Sequence, residues 1–340
     1  MNTHSKTWFL STSDEIKSDL PVTPRWITAQ REGTEAIQNI LDGENRQMLI
    51  IGPCSADFQD SLKEYGEFLA ELQEEVREKI LLVMRFYTGK PRTIGGWKGL
   101  QQGAPGEPVD IDRWLREARK IAVELLDLGI PLADEMLHPQ MMGHMEDLLS
   151  YIAVGARSTT NQYHREVASW APMPVGFKNP ESGDLLLMVN SIMAAQGPSD
   201  YTLANGRTYH GNGNPYAHAI LRWSNFEWTV KSNYDVDSVR RFLKFAEKVK
   251  LLNPKLLIDT NHDNSGKKPE KQIEIMREIM QILRDFPDMR LVMKGFMVES
   301  YLHDWRQDGT WRIIHGKSLT DPCIGRENTR ALVMELAEKI

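Results

Sequence analysis

The sequence predicts a (β/α)₈ barrel with an N-terminal extension. Three observations lead there. Eight short, β-rich apolar runs recur along the 340 residues. Helical stretches separate most of them, and the runs are continuously apolar rather than alternating, as in parallel strands covered on both faces.

Residues 1–45 precede the first run and form the extension, an expected contact between copies of the chain; residues 46–340 form the barrel. The runs span 47–55, 80–88, 130–137, 151–158, 173–180, 217–223, 256–262 and 291–300. Between the first two, Leu62, Tyr65, Phe68, Leu69 and Leu72 recur at helical spacing over 60–79. Over 110–128, Ile111, Trp114, Ala118, Ile121 and Leu125 do the same. Both stretches begin at an aspartate suited to capping. Further helices are predicted over 139–150, 184–195, 235–252, 269–285 and 328–340. A barrel of this kind takes about 250 residues, which leaves room for the extension and insertions.

Composition sets limits on function. With 41% hydrophobic residues the chain can bury a full core, and its formal net charge of −6 provides no basic field for nucleic acid or for an anionic membrane face. The start lacks a charged-then-apolar signal pattern, and no run of about 18 apolar residues spans a membrane, so a cytoplasmic location is expected. Two cysteines make no disulfide framework in a reducing compartment. Cys54 is a buried hydrophobe, a nucleophile or a metal ligand.

Barrel active sites lie at the C-terminal ends of the strands. Here the runs end on Cys54, Arg85, Glu135, Arg157, Lys178, Arg222, His262 and Glu299. Four are cations, and Lys90 and Arg92 in the following loop add two more. Six cations in one pocket of an acidic protein need anions, and arginine's planar fork fits phosphate and carboxylate oxygens in pairs. The predicted substrates are therefore multiply anionic. Cys54, His262 and Glu299, with Asp321 in a loop after the last run, offer a thiolate, an imidazole and two carboxylates, a mixed set for a divalent transition metal. Taken singly, each has a structural reading as packing, a capping turn, a cation's partner or a helix cap.

The motifs I-G-P-C-S, M-R-F-Y-T-G-K-P-R-T, G-W-K-G-L, G-A-R-S-T-T-N-Q-Y-H-R-E, P-V-G-F-K-N, H-A-I-L-R, G-F-M-V-E-S and G-K-S-L-T-D-P-C-I-G follow one another in order. From about residue 35 onward they resemble the class I 3-deoxy-D-arabino-heptulosonate 7-phosphate (DAHP) synthases, of the type sensitive to phenylalanine, tyrosine or tryptophan. The resemblance implies a (β/α)₈ barrel, with a hairpin insertion near strand six, that condenses phosphoenolpyruvate with erythrose 4-phosphate at the start of the shikimate pathway. It implies a divalent metal held by Cys54, His262, Glu299 and Asp321, with manganese the first choice among Mn, Fe, Co and Zn. Arg85, Lys90, Arg157, Lys178 and Arg222 would bind phosphoenolpyruvate with help from the Ala156 amide. Arg92 and Thr93 would hold the aldose phosphate. Lys90 and Glu135 are the implied groups for proton transfer or water positioning. A homodimer or homotetramer is the implied assembly, with no nucleic-acid or membrane partner.

Departures from the family pattern bear on acceptor and control. Arg222-Trp223-Ser224 replaces the family's Arg-Gly-Gly, and the indole is expected to narrow the loop. His262 keeps its place but is followed by Asp263 instead of alanine. A different aldehyde acceptor is thus the nearest alternative, and a catalytically silent regulatory barrel is the alternative of another class. The segment 201–216 and the Ala171-Pro172 pair differ from the family's effector region, so feedback by aromatic amino acids is expected to be weak or absent. Cys323, two residues beyond Asp321, suggests a disulfide with Cys54 when metal is lost.

Overall fold

The runs rich in Ile, Leu, Val and Met form eight parallel strands: β1 (Gln47–Gly52), β2 (Ile80–Arg85), β3 (Leu132–Glu135), β4 (Tyr151–Val154), β5 (Val175–Lys178), β6 (His218–Leu221), β7 (Leu256–Asp259) and β8 (Met293–Glu299). Each pairs with its neighbours in sequence, and β8 returns to β1, with Met48 opposite Gly295 and Gly52 opposite Glu299. The computed structural model describes residues 9–92, 95–104, 106–202, 207–226, 229–308 and 313–340.

Strand alternation sorts the side chains. Met48 and Ile50, Leu81 and Val83, Tyr151 and Ala153, and Met297 fill the barrel, whereas Leu49, Ile51, Leu82, Met84, Phe296 and Val298 pack beneath the outer helices. Continued to the strand ends, the inward parity brings Arg85, Glu135, Lys178, Asp259 and Glu299 to the mouth. A one-residue slip would drive these charges under the helices, so burial on both faces fixes the register that builds the site.

The other end of the barrel is closed by part of the extension. Helix Pro24–Asp42 starts on a proline at its first turn and buries Ile37, Ile40 and Leu41 against the barrel interior. Inside, His218 Nε2 lies 2.8 Å from the Tyr151 hydroxyl and His218 Nδ1 lies 2.8 Å from the Tyr216 carbonyl, which satisfies a fully buried imidazole.

Helices Gln59–Val76, Ile111–Asp127, Leu185–Gln196, Val236–Val249, Pro269–Asp285 and Arg326–Lys339 match the predicted ones within a few residues. Asp110, Asp184 and Asp235 accept from backbone N–H groups at their helix starts. Residues 139–150 differ from expectation. A 3₁₀ helix, Pro139–His144, is followed by turns, because Arg119 Nη1 takes the His144 carbonyl at 2.6 Å and pairs with Asp147 at 2.7 Å. Helix Gln162–Trp170, capped by Asn161, is an addition to the predicted set. The expected insertion before strand six is an antiparallel hairpin, Ser199–Thr202 with Thr208–Gly211. A second hairpin, Ser224–Phe226 with Thr229–Lys231, follows Trp223.

Candidate active site

Twelve of the thirteen residues predicted for the site line one cavity of about 420 Å³ at the C-terminal mouth of the barrel: Cys54, Arg85, Lys90, Arg92, Glu135, Ala156, Arg157, Lys178, Arg222, His262, Glu299 and Asp321. Thr93, the thirteenth, lies outside the described residues. Trp223 is buried and is not part of the cavity wall. Its carbonyl instead accepts from Asn179 and Asn233 at 2.9 and 2.7 Å, tying the loop after β6 to that after β5.

Local backbone geometry explains two of the motifs. Gly99 has φ +97°, and a Cβ there would lie 2.5 Å from the Thr88 carbonyl oxygen; this close crossing, with Lys90 N–H donating to the Lys98 carbonyl at 2.8 Å, sets the loop that carries Lys90. A Cβ on Gly155 would stand 2.3 Å from Glu135 Oε1, so glycine is what lets the Glu135 carboxylate occupy the mouth.

The wall is rich in cations, most of them paired. Arg85 Nη2 donates to Glu299 Oε1 at 3.1 Å and its guanidinium lies 4.0 Å from the Tyr87 ring centroid. Lys178 Nζ is 3.2 Å from Asp259 Oδ2. Arg157 faces Glu181 at 2.8 Å, and Arg222 faces Asp263 at 3.4 Å. Arg85 Nη1 and Arg222 Nε are buried with no hydrogen-bond partner among the described residues. Unmatched buried donors of this kind are costly, and an anionic ligand satisfies them.

Beside them is the donor cluster. One ligand atom each from Cys54, Glu299 and Asp321 lies within 4.8 Å of the others. His262, at φ +53°, places Nε2 3.8 Å from Glu299 Oε1 and Nδ1 2.9 Å from Asp259 Oδ2. Burial lowers the His262 pKa, partly offset by Asp259, which favours the neutral imidazole. Burial pushes Asp259 up, but His262 and Lys178 outweigh it and hold the carboxyl well below the usual range. Lys90 Nζ donates to Cys54 Sγ at 2.7 Å and to Asp321 Oδ2 at 2.9 Å, and Lys267 reaches Asp321 Oδ1 at 3.0 Å. These lysines overcome desolvation and keep Asp321 ionised. Burial and Glu299 push the Cys54 thiol up to about 11, against the pull of Lys90. A divalent cation reverses that balance, since a coordinating thiol is deprotonated. A soft sulfur, an imidazole nitrogen whose other nitrogen faces a carboxylate, and two carboxylates fit a borderline transition metal. Cys54 and Cys323 are both buried, free thiols.

Asp259, Lys267, Glu181 and Asp263 are site residues that the strand-end reading missed. Asp259 was within reach of it, as the last residue of β7 on the inward parity.

These features define a (β/α)₈ barrel enzyme in which a cation-rich wall adjoins a thiol, imidazole and carboxylate cluster. The profile of the DAHP synthetase I family matches residues 25–334. The Trp-sensitive phospho-2-dehydro-3-deoxyheptonate aldolase of Escherichia coli (strain K12) is 34% identical over 339 residues, covering 97% of this chain and 95% of its own. The Tyr-sensitive enzyme of the same strain is 34% identical over 340 residues, with 97% and 93% covered. The solved structure of phospho-2-dehydro-3-deoxyheptonate aldolase from Francisella tularensis SCHU S4 superimposes with a TM-score of 0.93 at 30% identity, over 99% of this chain and 98% of that one. The chain belongs to the DAHP synthetase I family, enzymes that join phosphoenolpyruvate to erythrose 4-phosphate in aromatic biosynthesis.

Proposed function

We propose that this chain forms DAHP and inorganic phosphate from phosphoenolpyruvate, erythrose 4-phosphate and water, with a divalent metal. The observation that carries this reading is the pair of buried, unpartnered donors, Arg85 Nη1 and Arg222 Nε, in the same cavity as the Cys54, Glu299 and Asp321 cluster. Arg85, Lys90, Arg157, Lys178 and Arg222, with the Ala156 amide, bind the phosphate and carboxylate of phosphoenolpyruvate; Arg92 and Thr93 take the aldose phosphate. Cys54, His262, Glu299 and Asp321 hold the metal, manganese first among Mn, Fe, Co and Zn, and when bound it supplies a Lewis acid for the aldehyde oxygen. The C3 π electrons of phosphoenolpyruvate form the bond to the aldehyde carbon, water adds at C2, and phosphate leaves with cleavage of its bond to C2. Lys90 first and then Glu135 are the groups proposed for proton transfer or water positioning. Fixing two anions on rigid strand ends lowers the barrier through proximity and preorganised charge.

Acceptor choice has a second reading, because Asp263 stands on the cavity wall beside Arg222. Product masses from phosphoenolpyruvate with a panel of phosphorylated aldoses decide it. The heptulosonate mass from erythrose 4-phosphate as the preferred partner supports the reading above; a better partner would give the acceptor to another aldehyde. Retention of all four donor residues speaks against a silent barrel.

Feedback is weak or absent in this reading. Tyr201 and Tyr209 of the first hairpin stack at 5.3 Å, and Trp170 lies 6.0 and 5.7 Å from them, so the chain's own aromatic rings fill the junction between hairpin and helix Gln162–Trp170. A homodimer or homotetramer contacting through residues 1–45, in the cytoplasm, completes the proposal. No helix among the described residues is long and apolar enough to cross a membrane.

A further inference from the structure

The ion pairs of the cavity wall fall into two kinds. Glu299 and Asp259, which hold Arg85 and Lys178, have side chains only 1% exposed and are locked in place. Glu181 and Asp263, which hold Arg157 and Arg222, have side chains 53% and 43% exposed. Glu181 lies in the turn after β5 and Asp263 in the short helix His262–Ser265 after β7, and both line the cavity. A half-exposed carboxylate can turn to solvent, and its pair with arginine is weak in water. A phosphate offers the same guanidinium more oxygens and more charge.

We propose that Glu181 and Asp263 are exchangeable counter-ions of the substrate clamp. Each occupies its arginine before substrate arrives, yields it to an anionic group of phosphoenolpyruvate, and takes it back as inorganic phosphate leaves. This rests on the reading of Arg157 and Arg222 as substrate ligands. Intramolecular competition of this kind weakens the hold on every anion, the phosphate product included, and so trades substrate affinity for product release.

The test uses the full chain and inorganic phosphate as probe, titrated by calorimetry at physiological salt, in wild type, Glu181→Gln, Asp263→Asn and the double variant. Glu78→Gln removes the same charge from an exposed pair with Arg77 and is the control. Each single cavity variant is expected to bind phosphate roughly two- to fivefold more tightly, with a matching fall in the KM for phosphoenolpyruvate. The double variant is expected to show the product of the two effects, and Glu78→Gln no change. Wild type that binds phosphate in competition with phosphoenolpyruvate, with variants that bind it no tighter, overturns the exchange while leaving the clamp intact. Wild type that binds no phosphate in that competition overturns the clamp and the exchange together.

Discussion

Asp259 Oδ2 and His262 Nδ1 meet at 2.9 Å, and Nε2 of the same ring lies 3.8 Å from Glu299 Oε1. The same carboxylate neutralises Lys178. One buried carboxylate therefore contacts both an imidazole beside the donor cluster and a cation of the cavity wall, so the two halves of the site are joined.

Replacing Asp259 by asparagine should loosen that ring and weaken metal binding by roughly 10- to 100-fold, the usual scale for removing a partner of a ligating histidine. Competition between the protein and a chelator for Mn²⁺ reads this directly. Unchanged affinity would mean that His262 is held by something other than Asp259.

Gly99→Ala tests the Lys90 loop. With φ +97° and a Cβ 2.5 Å from the Thr88 oxygen, alanine must push the two loop strands apart, at a cost of about 1–3 kcal/mol. The strain falls at the mouth, so the turnover rate should drop by about tenfold or more while the circular dichroism of the barrel stays unchanged. A fully active Gly99→Ala enzyme would contradict the role given to this crossing.

His218 makes acid stability legible. Burial lowers its pKa from 6.5 to about 4, so below pH 6.5 the unfolded chain takes up a proton that the folded chain refuses until about pH 4. The stability this group contributes is complete above pH 6.5 and is lost as pH falls toward 4. Between pH 7.5 and 5 the loss is about 2 kcal/mol. Buried Asp57 and Asp134, raised to about 6 and about 7, act in the opposite sense, so the comparison has to be with a variant. His218→Gln should lose less stability than wild type over this range in urea titrations. Parallel losses would place the imidazole's proton elsewhere.

Sequence and structure agree where physics is local and periodic. Runs buried on both faces have to be parallel strands, and the parity of β2 and β8 carries Arg85 and Glu299 inward without further information. The 3₁₀ segment at Pro139–His144 was not legible, because its shape depends on Arg119, a residue on another helix. Helix Pro24–Asp42 carries its buried stripe of Ile37, Ile40 and Leu41 openly, yet only the closed barrel shows what the stripe covers. Glu181 and Asp263 look like loop carboxylates in sequence. Their pairing with Arg157 and Arg222 brings together β/α loops remote in the chain.

Phenylalanine, tyrosine and tryptophan, each at millimolar concentration, should leave the initial rate unchanged, because Trp170, Tyr201 and Tyr209 already pack on one another. Inhibition by any of them in the micromolar range would show that the aromatic cluster opens to admit an effector.

Joint action of the Cys54, Glu299 and Asp321 cluster, neighbouring His262 and the cation wall on two phosphorylated substrates is what the proposed mechanism requires. Phosphate release from phosphoenolpyruvate and erythrose 4-phosphate, followed with Mn²⁺ and then with a chelator, tests it most directly. The predicted result is release that requires erythrose 4-phosphate, stops with chelator, returns with Mn²⁺ and falls by at least about a hundredfold in Cys54→Ser. Release that persists in chelator at the full rate, or in Cys54→Ser, would contradict the account.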